Sequence, residues 1–170
     1  MNLLKSLVSG SKHANELLKC LENIGSTVHL KELVGGAYSL YAAGIVERRG
    51  GVHIFLCEDR DRAAYLVNDL YELLDEERVH FFASGYKRSA AYGGEDAQGV
   101  VRRTATLNAI SGLTSGYIAI CTYPEAVAEA VADRSRLTEQ SRTITVGEHL
   151  QQSELVEWLV EHGFTKVDFV

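Results

Sequence analysis

The chain has 170 residues and 46% hydrophobic content, enough for one globular domain with its own core and a small appendage. Its 23 acidic residues outnumber 17 basic ones, for a net charge of −6. That balance argues against a strong nonspecific nucleic-acid binder, which needs a dominant basic patch. No apolar run is long enough to cross a bilayer, and Met1–Lys5 carries no signal-peptide core. Cys20, Cys57 and Cys121 are widely spaced with no C-x-x-C, which reads as reduced thiols in a cytoplasmic protein.

Taken in chain order, helical periodicity and apolar runs alternate. The pattern predicts a helix over Ala14–Asn23, a strand over Thr27–Val34 and a helix over Leu40–Arg49. A strand over Val52–Cys57, a helix over Arg60–Leu74 and a strand over Val79–Ala83 follow. Ser84–Gly94 is rich in Gly, Ser, Ala and Tyr and reads as an exposed loop. Beyond it come a helix over Gln98–Ser111, a strand over Tyr117–Thr122 and a helix over Glu125–Asp133. The single proline, Pro124, suits that helix's first turn. The strands are short and mostly apolar on both faces, the mark of a parallel sheet covered by helices on both sides.

A polar stretch, Leu137–Thr143, then leads to a strand–helix–strand unit: Arg142–Val146, Ser153–His162 and Lys166–Val170. Ser153 is the expected N-cap of this helix and Gly163 the residue just past its end. Trp158 sits on a helix whose apolar positions cover more than one face, so a contact beyond its own small sheet is conceivable. A unit of this size buries too little surface to stand alone. The expectation is an incomplete second domain, the whole chain being an N-terminal piece of a larger protein.

The segment with the clearest chemical pattern is Glu32-Leu33-Val34-Gly35-Gly36-Ala37-Tyr38-Ser39, where the first predicted strand gives way to a helix. Nucleoside triphosphatases hold phosphate at such a junction with G-x-x-x-x-G-K-[ST]. Backbone N–H groups and the helix N-terminus supply positive potential, the lysine reaches the β/γ-phosphates, and the hydroxyl binds Mg²⁺. With Ser39 as that hydroxyl, Glu32 replaces the first glycine, Ala37 the second and Tyr38 the lysine. A carboxylate stands where phosphate should sit and the cation is missing. An ordinary strand–helix connection reads the same way on these residues alone.

Other constellations carry less. Glu58-Asp59-Arg60-Asp61 follows a strand and suits either a Mg²⁺-binding acidic cluster or an acidic helix start, the latter favoured by the helix dipole. The acceptor Asp that a phosphorylatable receiver domain needs at a later strand end is missing. Lys87, Arg88, Arg102 and Arg103 form one basic grouping, and Arg134, Arg136 and Arg142 a second. Either suits contact with DNA or an acidic partner, or a solvated helix face. No His pair at i, i+4 suggests a metal site, and no G-x-S-x-G suggests acyl transfer. Gly35-Gly36 does not supply the G-x-G-x-x-G of a dinucleotide fold.

The order of segments resembles the N-terminal UvrB-like region of the bacterial transcription-repair coupling factors (the Mfd family). The matching passages are Leu33–Ala37 followed by a helix, Val52–Cys57 with its acidic turn and helix, and Arg102-Arg103 in a helix. Tyr117–Thr122, Ile144–Glu148 and Leu155–Asp168 continue the match. The resemblance implies a RecA-like domain with a decayed phosphate loop over residues 1–136, and the start of a second, UvrB-like domain over 137–170. It further implies a noncatalytic module that binds no cofactor itself. The full-length parent would be an ATP- and Mg-dependent DNA translocase that displaces stalled RNA polymerase from double-stranded DNA. That parent would recruit UvrA for nucleotide excision repair, mostly through the second domain. The alternatives are an active UvrB-like P-loop ATPase or helicase domain, and a generic α/β ligand-binding or signalling domain. Position 38 discriminates the first of these, because a working loop needs Lys there.

Overall fold

The computed structural model describes residues 5, 8, 10–86, 96–131, 133, 135, 137, 141–162, 164 and 167. Its centre is the run Tyr117–Thr122 (β3), in which Ile118 through Thr122 are all buried. A strand apolar on both faces needs cover on both, and it finds neighbours on both edges as well. Gly51–Leu56 (β1) pairs with it from Gly51↔Tyr117 to Leu56↔Thr122. Val79–Phe81 (β2) pairs from Val79↔Ala119 to Phe81↔Cys121. Both pairings are parallel and the order is β1-β3-β2. The protein is therefore α/β, with a small parallel sheet flanked by helices.

Parallel strands need crossover helices, and these follow the expected rhythm. Lys12–Leu21 (α1) and Ala37–Arg49 (α2) precede β1. Arg60–Leu73 (α3) links β1 to β2, Ala97–Gly112 (α4) lies between β2 and β3, and Pro124–Ala128 (α5) follows β3. Ala42, Ala43 and Val46 of α2 and Ala63, Leu66, Val67 and Leu70 of α3 cluster with Val79, Phe81, Ala119 and Cys121. Helices α2 and α3 thus cover one face. Ile118 instead shares a hollow with Ala109 and Gly112 of α4, which covers the other. Two successive crossovers running in opposite directions along a sheet must lie on opposite faces to keep right-handedness.

Local chemistry sets the helix ends. Ser11 caps α1 by accepting from the Ala14 N–H at 3.2 Å. Asp59 caps α3 through the Arg62 N–H at 2.8 Å, with Asp61 in the first turn. Pro124 occupies the first turn of α5. The passage from α2 into β1 reverses the chain within two glycines, Gly50 and Gly51, at φ 67° and 81°. A Cβ on Gly50 would also press on the Gly116 carbonyl oxygen at 3.0 Å, so the turn needs glycine twice over.

Several sequence expectations are corrected. Thr27–Val34 forms no strand. It has no ladder partner, and Glu32, at φ 62°, interrupts the extended backbone. The β2 strand ends at Phe81 rather than Ala83, and the helix after β3 ends at Ala128 rather than Asp133. Contacts divide the chain into Met1–Ala130 and Val131–Val170. In the second unit Arg142–Val146 is irregular and exposed, with Glu148 N–H donating to the Thr145 carbonyl at 3.0 Å in a turn. The helix Gln152–Glu161 (α6) has Gln151 at its cap position with no side-chain bond, so Ser153 lies inside the helix rather than capping it. None of its residues is buried. The expected C-terminal strand and Gly163 fall largely outside the described residues; Val167, which is described, is not in a strand.

Candidate functional site

The turn Glu32–Ser39 enters α2 with Gly36 at the cap position and no side chain closing the helix end. Gly35 takes φ 58°, and the Ala37 N–H donates to the Val34 carbonyl at 3.2 Å. The two side chains that would serve a nucleotide are engaged elsewhere. Ser39 is 5% exposed, and its hydroxyl donates to an Asp69 carboxylate oxygen at 2.5 Å. The Tyr38 ring meets Phe55 edge to face, with centroids 6.5 Å apart. Partial burial raises the Tyr38 pKa, helped by the nearby Cys57 and Cys121, so its phenol stays neutral.

Tyr38 also lines an apolar cavity of about 280 Å³ with Leu17, Leu30, Tyr41, Ile45, His53 and Phe55. His53 is held in its neutral form by burial, and its Nε2 lies 2.9 Å from the Gly50 carbonyl, the bond that its ring N–H makes. The segment expected to be the first strand therefore lies against the helical side of β1, through Val28, Leu30 and Leu33.

The basic pair splits. Arg103 is 8% exposed, and its guanidinium donates to the carbonyls of Ala83 at 3.1 Å, Ala126 at 2.7 Å, Glu129 at 3.3 Å and Ala130 at 3.4 Å. It pairs with the Glu129 carboxylate at 3.3 Å and stacks over Phe82 at 4.2 Å. The same carboxylate accepts from the Ser84 hydroxyl and from the Gly85 N–H at 2.9 Å. The Tyr123 hydroxyl accepts from the Ser84 N–H at 2.9 Å. Gly99 completes this knot, because a Cβ there would collide with the Ser84 carbonyl oxygen. Arg103 is thus withdrawn from the contact surface that the sequence suggested, and only Arg102 of the pair faces solvent, 5.6 Å from the Phe81 ring centroid. Lys87, Arg88, Arg134 and Arg136 lie outside the described residues, and Arg142 is exposed in the second unit.

Sequence reasoning missed Glu129 and Ser84 altogether. Nothing in the sequence pattern paired Glu129 with Arg103. His80 lies in a strand, as its sequence position suggested, but no sequence signal marks its Nε2 as buried without a hydrogen-bond partner. Burial holds the His80 pKa below its ordinary value. Cys121 is buried and its thiol is pushed up to about 12 by burial and by Cys57, so it stays protonated and inert. Among the described residues no group of three or more His, Cys, Asp or Glu side chains comes together to hold a metal ion. Among the same residues no helix is long and apolar enough to cross a membrane. No protein-family model and no curated protein matches the chain.

Proposed function

We propose that this chain is the noncatalytic N-terminal module of a transcription-repair coupling factor, a degenerate RecA-like domain followed by the beginning of a UvrB-like second domain. The observation that carries the noncatalytic part is the Ser39–Asp69 hydrogen bond at 2.5 Å. A hydroxyl buried against a helix carboxylate is not free to ligate Mg²⁺. Tyr38 supplies no cation, and Glu32 adds negative charge where phosphate would lie. These residues do not fit Mg-ATP, which argues against the rival reading of a living P-loop ATPase. The parallel sheet with helices on both faces is in keeping with a RecA-like core, and so is the order of motifs along the chain.

In this reading the ATP and Mg chemistry, the RNA polymerase contact and the grip on double-stranded DNA belong to other parts of a full-length translocase. The present chain acts as scaffold and as a UvrB-mimicking surface, with the UvrA contact mostly in the second domain. The test is capture by purified UvrA of this chain and of a version extended through a complete second domain. Capture of the extended form alone is the expected result. Capture of neither overturns the assignment, and equally tight capture of both moves the UvrA contact into residues 1–170.

A further inference from the structure

Among the described residues, strand β1 is an edge strand with no pairing on its outer side. The Gly51 N–H donates to the Gly116 carbonyl at 2.8 Å, and the Cys57 N–H to the Thr122 carbonyl at 2.8 Å. Backbone groups alternate along a strand, so the N–H and C=O groups of Val52, Ile54 and Leu56 point away from β3 to the open side. The described residues include no backbone hydrogen bond between this edge and Thr27–Val34. The sequence Gly-Val-His-Ile-Phe-Leu carries no charged or proline gatekeeper, the devices that ordinarily blunt an edge. The side chains of Ile54 and Leu56 are 65% and 61% exposed.

Handedness says where a preceding strand belongs. The β1–α3–β2 crossover moves past β3 with α3 on one face, and α2 shares that face. A right-handed crossover through α2 into β1 must therefore start from the opposite side of β1, the side of the free edge. The chain just ahead of α2 is Thr27–Val34, rich in β-branched and apolar residues. Val28 and Leu30 already share a cavity with His53 and Phe55 of β1. Glu32 stands in the way, and its return to extended backbone turns Leu33 out of that cavity. At φ 62° it occupies a left-handed conformation that costs an L-residue about 1 kcal/mol or more, a strain that closure relieves.

We propose that Thr27–Val34 is a strap that closes onto the free edge of β1 as a fourth, parallel strand. Closure leaves Val28 and Leu30 on the α1–α2 side. It lays the aliphatic stem of Lys31 beside the exposed Ile54, and turns the entry to α2 into a strand–Gly-Gly–helix junction. The inference rests on topology and does not depend on the family reading.

Amide hydrogen exchange of the intact chain tests it, read at single residues by NMR. In the open arrangement the Ile54 and Leu56 amides exchange freely, whereas Phe55, on the β3 side, is protected. A closed strap populated ten to one would slow Ile54 and Leu56 by about ten-fold. Leu30→Pro, which removes a strap N–H that faces β1, should abolish that protection and leave Phe55 protected. Glu32→Gly, which suits the left-handed turn, should weaken it. Free exchange at Ile54 and Leu56 in the unaltered chain overturns the proposal. So does protection that survives Leu30→Pro and grows with protein concentration, which would place a second copy on the edge instead.

Discussion

Two helix entries in this protein stand in contrast. At the start of α2 the chain leaves its helix end uncapped, bends through Gly35 and a left-handed Glu32, buries its serine against Asp69 and sets its tyrosine edge-on to Phe55. Around the loop after β2 and the start of α4, the chain ties together four carbonyls, an arginine, a glutamate, a serine and a tyrosine. The first entry has the sequence silhouette of a ligand site and little polar organisation. The second has no familiar motif and most of the buried polar structure. A helix entry without polar order need not be a weak point in the fold, because that order can be vested elsewhere.

The comparison breaks most readily at Arg103. Arg103→Ala leaves the Glu129 carboxylate without its cation and strands several carbonyls, at a cost of about 3–5 kcal/mol. Urea melts monitored by circular dichroism should record this as a large drop in midpoint. A loss under about 1 kcal/mol would mean that the knot is solvated and not a structural centre. Gly99→Ala should come next, at about 1–3 kcal/mol, because α4 must shift away from the Ser84 carbonyl. A thermal melt within a degree of the unaltered protein would refute the close approach.

His80→Leu should go the other way. Removing an unpartnered buried nitrogen stabilises by about 1 kcal/mol. The pH dependence has a definite sign. The folded pKa of His80 lies below the unfolded value near 6.5, so the unfolded state takes up the proton more readily. The stability attached to this residue is whole above that pH and declines as pH falls below it. His80→Leu should flatten that decline, leaving the part due to His53, which is shifted in the same direction. An unchanged slope between pH 7 and 5 would exclude His80 as a contributor.

The smallest expected effect sharpens the other side of the contrast. Millimolar Mg-ATP should leave the melting temperature of the unaltered protein where it is. Tyr38→Lys should not create nucleotide binding either, because Ser39 remains bound to Asp69. A micromolar dissociation constant by calorimetry for either form would show that the Glu32–Ser39 turn still receives phosphate.

How much of this was legible in the sequence follows from the range of the interactions. Tyr117–Thr122 stands in the structure as the periodicity drew it, because a strand buried on both faces declares itself by unbroken apolar character. The Asp59 cap and the Pro124 start are local rules and survive unchanged. Thr27–Val34 and Arg142–Val146 have the composition of strands, but a strand exists only against a partner, and composition does not say whether one is in reach. Arg103 looked like half of a surface pair. Its burial depends on carbonyls from Ala83, Ala126, Glu129 and Ala130, remote in sequence and invisible to any window along the chain. Ser39 was placed correctly beside the glycine pair, yet its partner Asp69 sits on another helix.

The strand order has a consequence in time. The middle strand of the sheet is the last of the three to be synthesised, so Gly51–Leu56 and Val79–Phe81 both emerge from the ribosome before Tyr117–Thr122, the strand that each of them pairs with. Until then an uncharged, apolar strand waits unsatisfied, the kind of intermediate that recruits chaperones or aggregates. Because both pairings among the described residues join segments distant in sequence, folding should be slow for the chain's size and should start late, once β3 has cleared the exit tunnel.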